Sequence, residues 1–151
     1  MPTITVEKTV AAPPDVVFDV LTDHRGYPAI SPFRAVDLER EGDPAPNGTG
    51  AIRVLRLAGP ALREEVTAFD RPRHFAYRLL SGAPVKNHTA DVTFSDVGGK
   101  TRVVYRMETT PKVPRLAAPA IIFVLRRGTK LLLDGAAREA ERRAASSRAT
   151  S

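Results

Sequence analysis

The stretch TADVTFSDVGGKTRVVYRME, residues 89–108, carries the clearest structural signal in this chain. Apolar and polar residues alternate on both sides of Gly98-Gly99, which is the pattern of two half-buried strands joined by a tight turn. The residues that share the apolar face are Ala90, Val92, Phe94, Val103, Tyr105 and Met107. The sequence therefore predicts an antiparallel hairpin with one face packed on a core and one face in water.

Five segments upstream of the hairpin show similar strand character. They are 3–10, 35–41, 51–57, 62–69 and 75–80, separated by segments rich in glycine, proline and charged residues. Seven strands at this spacing predict one antiparallel sheet. Between the first two strands, Pro13-Pro14-Asp15 opens a short helix, and a second short helical segment follows around 26–30.

Downstream of the hairpin, the chain is rich in Ala, Leu, Arg and Glu, and it lacks proline after residue 119. Apolar residues recur there at intervals of three and four, so we predict a helix of about 30 residues over 115–144. Its inward positions are Ile122, Leu125, Thr129 and Leu132. Gly128 and Gly135 weaken a helix, and they predict a close approach or a bend.

A chain of 151 residues is long enough for one domain with its own core, and we expect it to occupy 1–145, with 146–151 as a disordered tail. The absence of cysteine excludes disulfides, thiolate metal sites and a cysteine nucleophile. Residues 1–10 alternate instead of forming a continuous apolar run, which argues against a signal peptide. A cytoplasmic location is therefore expected.

The positive charge of the chain is concentrated near its C-terminus. Residues 1–111 carry 14 basic and 14 acidic side chains, whereas 112–151 carry nine basic and three acidic, which accounts for the net charge of +6. Phe123 is the only aromatic residue in the helix, and stacking on successive nucleic acid bases requires several aromatic side chains. No nucleic acid partner is therefore expected. The basic helix is either a solvated face or the site of a weak contact with an anionic membrane.

The order of elements and several local motifs resemble the helix-grip superfamily, which includes START domains, pollen allergens and polyketide cyclases. The motifs that carry the resemblance are DVVFDVLTD at 15–23, YP at 27–28, GTGAIR at 48–53, REEVTAFD at 63–70 and GKTRV at 99–103. The chain is most similar to the bacterial polyketide cyclase/dehydrase-like group. The resemblance implies an α+β helix-grip fold in which a seven-stranded antiparallel sheet curls around the long C-terminal helix. Relatives commonly place a tryptophan after the second short helix, where this chain offers Phe33 or Tyr27 as substitutes.

A cavity between sheet and helix is expected in such a fold, and strand parity selects the residues that face it. The candidate ligand-binding residues are Arg53, Leu55, Glu64, Tyr77, His88, Ala90, Tyr105, Leu125 and Thr129. Arg53 and Glu64 form either a structural ion pair or a ligand contact, and a register slip of one residue would turn Arg56 and Glu65 inward instead. Tyr77 and Tyr105 are either core aromatics or acids.

His88 is the candidate catalytic base if the protein is an enzyme, because an imidazole titrates near neutral pH. The alternative is a polar side chain satisfied within a strand. His24 and His74 lie beside arginines at turns or strand starts, and we expect them to be solvated. Histidines at metal-ligand spacing are absent, so neither a metal nor another cofactor is expected.

Three functions are consistent with this sequence. The first is the binding or transport of a hydrophobic small molecule such as a polyketide, isoprenoid, quinone or lipid, by a monomer or homodimer. The second is a cyclase or dehydratase that uses His88, Tyr77 or Arg53 to move protons on a polyketide-like substrate. The third is an adaptor that contacts a membrane or ribosome through the basic helix.

Overall fold

The computed structural model describes residues 2–57 and 59–149. The strands are β1 (Thr3–Val10), β2 (Ala35–Arg40), β3 (Ile52–Arg56), β4 (Leu62–Asp70), β5 (His74–Ser81), β6 (Val85–Val97) and β7 (Lys100–Pro111). The helices are α1 (Pro14–Thr22), α2 (Tyr27–Ile30) and α3 (Ala118–Ala149), with a 3₁₀ turn at His24–Gly26 between α1 and α2. This order confirms the predicted helix-grip architecture.

All seven strands form one antiparallel sheet in the order β1-β7-β6-β5-β4-β3-β2. The β6–β7 hairpin turns at Gly98 and Gly99, whose φ angles of 63° and 87° match the left-handed positions of a type I′ turn. Asp96 supports the turn by accepting a hydrogen bond from the Gly99 amide at 2.9 Å. The predicted alternation is also present, with Ala90, Val92 and Phe94 buried.

α3 packs against α1, α2, β1 and β7. It begins at Ala118, three residues later than predicted, so that Pro119 lies in the first turn, where its missing N–H removes no helical hydrogen bond. Thr129 and Leu132 are buried and Leu125 is half-buried, which agrees with the predicted inward stripe. The helix continues to Ala149, so the start of the predicted tail is helical, and 150–151 lie outside the described residues. Across 2–57 and 59–149, no helix is both long and apolar enough to cross a membrane.

The two glycines of α3 have different environments. A Cβ on Gly135 would collide with the carbonyl oxygen of Ile30, at the crossing of α2 and α3, whereas a Cβ on Gly128 would meet nothing within 4 Å. A close approach or a bend was predicted for both glycines, and a close approach is present at Gly135 only. Gly128 instead borders open space.

We expect Gly135→Ala to destabilise the protein by about 1–3 kcal/mol, because α2 and α3 must separate to admit the methyl group. Gly128→Ala is the matched control, since it adds the same group to the same helix without a clash. It is expected to stabilise the protein by up to about 1 kcal/mol through helix propensity. Urea unfolding of both variants measures the difference, and equal free energies of unfolding would contradict the close contact.

Candidate ligand-binding cavity

A cavity of about 180 Å³ lies between the sheet and the first half of α3. Its apolar lining comprises Leu55, Leu57, Leu62, Leu79, Val85, Met107, Val124, Leu125 and Leu132. The volume is below the roughly 300–1,000 Å³ that is usual for ligand pockets. Large side chains from the sheet, above all Arg53, Tyr77 and Tyr105, take up part of the space. Because an apolar cavity of about 150 Å³ admits benzene, the enclosed part has room for about one ring.

Arg53 and Glu64 form a buried ion pair at one wall of the cavity. The two residues are direct partners in the β3–β4 ladder, and their side chains are almost fully buried. Nε of Arg53 donates a hydrogen bond of 2.8 Å to Oε1 of Glu64, and Nη2 lies 2.6 Å from the same oxygen in the ion pair. The predicted inward register is therefore correct. On the outer face, Arg56 pairs with Asp37 and Glu65 pairs with Arg40 and Arg78.

Aromatic rings surround the Arg53 guanidinium. Its central carbon lies 4.4 Å from the ring centroid of Tyr77, 5.5 Å from that of Phe75 and 5.6 Å from that of Tyr27. Burial is the largest single influence and acts against the charge, but the Glu64 carboxylate together with the neighbouring tyrosines outweighs it, so that the pKa of Arg53 is raised. Its hydrogen bonds, one to Glu64 and a 3.5 Å bond to the Tyr27 hydroxyl, use two of its five N–H groups. The site thus holds a permanent cation with donors left for a ligand.

Tyr77 and Tyr105 bring two hydroxyl groups together at the cavity wall. Their oxygens lie 2.6 Å apart in a buried hydrogen bond, and their rings meet edge to face. Burial raises the pKa of both phenols, that of Tyr77 most strongly. Tyr105 and Glu64 raise the pKa of Tyr77 further, whereas the hydrogen bond with Tyr77 partly lowers that of Tyr105. Both groups are therefore neutral hydrogen-bonding groups at physiological pH, with one proton of the pair available to a ligand oxygen.

A β-bulge in β6 lies directly before His88, whose side chain lines the cavity. Between the pairs Lys86↔Thr110 and Thr89↔Glu108, two residues of β6 face one residue of β7. Asn87 has a φ angle of 52°, a left-handed conformation that asparagine tolerates better than most residues. His88 follows the extra residue on the inward face that it shares with Ala90, where it is 5% exposed and its ring centroid lies 6.5 Å from that of Tyr77. The bulge changes the phase of β6 before His88, so that Val85 faces the cavity as well.

His88 has the properties of a neutral base. Burial lowers the pKa of its imidazole, and the negative charge of Glu64 opposes only part of that effect. Its buried Nδ1 has no hydrogen-bond partner within the part of the chain that the structure describes. A neutral imidazole with an unused nitrogen can bind a ligand hydroxyl or accept a proton from a ligand.

Eight of the nine predicted ligand-binding residues line this one cavity. They are Arg53, Leu55, Glu64, Tyr77, His88, Tyr105, Leu125 and Thr129. Ala90 does not line it, which corrects the prediction for this residue. Ala90 is 1% exposed and lies two positions after His88, in the part of β6 that belongs to the packed core. β6 also contacts α1. Parity placed Ala90 on the correct face but could not show where along the strand the cavity ends.

Sequence reasoning missed several other lining residues. Val124 and Gly128 lie on the side of α3 next to the predicted stripe. The sequence signal for Gly128 was a glycine inside a helical segment, and in the structure a Cβ at this position would meet nothing within 4 Å. Tyr27 and Phe33, which the sequence offered as substitutes for the tryptophan of relatives, both line the cavity. Their rings stack with centroids 6.2 Å apart.

His24 corrects another expectation, since it is fully buried instead of solvated. The 3₁₀ turn places its ring between Tyr27 and Phe75, at 5.5 Å from each centroid. Burial, followed by the positive charge of Arg53, lowers its pKa well below the usual value, so His24 is a neutral part of the core. His74 is partly exposed and pairs with Asp91 at 2.7 Å.

Comparisons with known proteins agree with this geometry. The family model described as polyketide cyclase/dehydrase and lipid transport matches residues 1–141. Among solved structures, the Zhui aromatase/cyclase from Streptomyces sp. R1128 is 25% identical, with a TM-score of 0.80 over 94% of both chains. A START superfamily protein from Mycobacterium smegmatis is 13% identical, with a TM-score of 0.72 over 95% of this chain and 97% of that one. No curated protein matches the sequence.

Proposed function

We propose that this chain, which belongs to the polyketide cyclase/dehydrase and lipid transport family, binds an apolar small molecule that carries at least one oxygen. Family membership implies a hydrophobic small-molecule ligand or a cyclase activity. The observation that carries the proposal is the cavity itself, in which leucines, Val85 and Met107 surround a small group of polar side chains. Such a lining binds the apolar body of a ligand and fixes the position of its polar atoms.

The size of the cavity restricts the part of the ligand that is enclosed. About 180 Å³ holds roughly one ring, and the exposed lining residues Pro32, Leu57, Val124 and Gly128 mark the mouth of the cavity. A polyketide, quinone, isoprenoid or lipid would place one end beside Arg53 and Tyr77 and extend the remainder through the mouth. A carbonyl or phenol oxygen is the expected polar group, because Arg53 and the tyrosine pair offer hydrogen-bond donors.

A specific observation also favours a cyclase, namely the neutral His88 beside Tyr77, in the cavity that Arg53 also lines. His88 would remove a proton from the carbon between two ligand carbonyls, and the donors of Arg53 and Tyr77 would stabilise the enolate oxygen. The enolate carbon would then form a bond with the carbon of a further ligand carbonyl, which closes the ring, and the oxygen of that carbonyl would take the proton from the protonated His88. Loss of this hydroxyl and a hydrogen of the adjacent ring carbon as water would leave a carbon–carbon double bond. The 25% identity with an aromatase/cyclase over 94% of both chains supports this candidate.

The glycine at the cavity mouth provides a test of binding. Gly128→Phe places a ring beside the mouth, where a Cβ meets no neighbour within 4 Å. We expect it to weaken binding of 2-naphthol, a two-ring compound with one hydroxyl, at least tenfold, because the new ring competes for the space. Fluorescence titration of the naphthol measures the dissociation constant, and the melting temperature confirms that the variant is folded.

Ala120→Phe is the matched control, because it adds the same ring to an exposed position of α3 that does not line the cavity. The control is expected to bind 2-naphthol as the parent protein does. Equal weakening in both variants, or unchanged binding in Gly128→Phe, would contradict the proposal that the ligand occupies this cavity.

A further inference from the structure

The mouth of the cavity adjoins an apolar surface that the cavity does not explain. Val124 and Leu57 line the cavity, yet they are 64% and 43% exposed. Phe123, the next residue on α3, is 67% exposed, and Leu116, in the turn before α3, is 98% exposed. Neither Phe123 nor Leu116 lines the cavity. Isolated exposed apolar residues are common, but a group beside a ligand mouth marks an interaction surface.

Uncompensated positive charge surrounds these residues. The segment 112–133 contains five basic residues, Lys112, Arg115, Arg126, Arg127 and Lys130, and no acidic residue. The ion pairs recorded for the described part of α3 lie further along the helix, at Asp134 and Glu139. We call Leu116, Phe123 and Val124, together with Arg115, Arg126, Arg127 and Lys130, the rim patch.

We infer that the rim patch docks the mouth of the cavity onto an anionic membrane surface. Exposed aromatic and aliphatic side chains enter the boundary between headgroups and acyl chains, and neighbouring arginine and lysine side chains contact the lipid phosphates. The rim patch supplies both components on one helix and the turn before it. Nucleic acid fits less well, because Phe123 is the only ring available for stacking in α3.

Docking in this orientation would open the cavity toward the bilayer. An apolar ligand could then move between the membrane and the cavity without full exposure to water. This consequence rests on the proposed ligand-binding function, whereas the docking itself does not. Naphthol titration in vesicle-free solution therefore tests the ligand-binding function, and vesicle binding tests the docking.

An indole reporter tests the docking directly, because the chain contains no tryptophan. We expect the emission of Phe123→Trp to move to shorter wavelength on addition of vesicles that contain phosphatidylglycerol. Pure phosphatidylcholine vesicles should produce a much smaller effect, and salt should reverse the shift as the Debye length falls. Val97→Trp is the control, since Val97 is exposed at the opposite end of β6, roughly 40 Å from Val85, which lines the cavity.

Charge reversal tests the cationic part of the rim patch. Arg127→Glu is expected to reduce sedimentation with phosphatidylglycerol vesicles on the order of tenfold, given the contribution of each basic residue at such surfaces. Arg138→Glu changes the net charge equally but lies about 16 Å further along α3, and it should have much less effect. Equal effects of the two reversals, equal shifts at positions 97 and 123, or no vesicle binding by the parent protein would each overturn the inference.

Discussion

Arg53→Met is expected to lower the free energy of unfolding by about 3–5 kcal/mol, because it leaves the Glu64 carboxylate buried without its partner. Arg53 is 1% exposed and Glu64 6% exposed, so water cannot replace the hydrogen bond and the ion-pair contact that the carboxylate loses. The guanidinium also leaves its position over the Tyr77 ring. Urea unfolding at neutral pH measures the loss, and a variant as stable as the parent would contradict the buried pair.

The double variant Arg53→Met/Glu64→Leu separates a structural role from a ligand contact. Removal of both charges leaves no unpaired group, so most of the lost stability should return. If Arg53 donates a hydrogen bond to a ligand oxygen, the stable double variant still binds 2-naphthol more weakly, by about 1.5–3 kcal/mol. Parent-like affinity in the double variant would assign the pair to structure alone.

His88→Ala is expected to reduce cyclisation about 10²- to 10⁴-fold if the protein is a cyclase, because the general base is lost. In a pure carrier, the same substitution removes at most one hydrogen bond and changes affinity by about 0.5–1.5 kcal/mol. A synthetic poly-β-ketone thioester is a suitable substrate for the rate measurement. His74→Ala is the matched control, since His74 is partly exposed and pairs with Asp91 outside the cavity.

The pH dependence provides a second readout for the same residue. Burial lowers the pKa of His88, so the neutral base forms as pH rises through a value below the usual 6.5. The rate of the parent protein should therefore increase with pH in the acidic range and be level by neutral pH. A rate that first rises above pH 7, or a His88→Ala variant as fast as the parent, would remove His88 from the mechanism.

The hairpin and the paired residues show how much a sequence pattern can predict here. The alternation of apolar and polar residues around Gly98-Gly99 is a local property of the chain, so the sequence was sufficient to predict the hairpin. The same alternation in β3 and β4 placed Arg53 and Glu64 on the inward face, where the two side chains form a hydrogen bond. Three features depended on contacts between distant segments instead. The bulge at Asn87 interrupts the two-residue period without a motif of its own, and the burial of His24 comes from packing against Phe75. The reduced cavity volume results from the combined size of side chains on several strands.

Chemical-shift mapping of 2-naphthol on the isotope-labelled protein tests the central proposal most directly. If the cavity is the ligand site, the largest amide shifts should cluster at residues that line it, including Tyr77, His88, Tyr105 and Thr129. The same spectrum of Gly128→Phe should show these shifts reduced at equal naphthol concentration. Shifts confined to residues outside the cavity, or identical shifts in the parent and Gly128→Phe, would contradict the account.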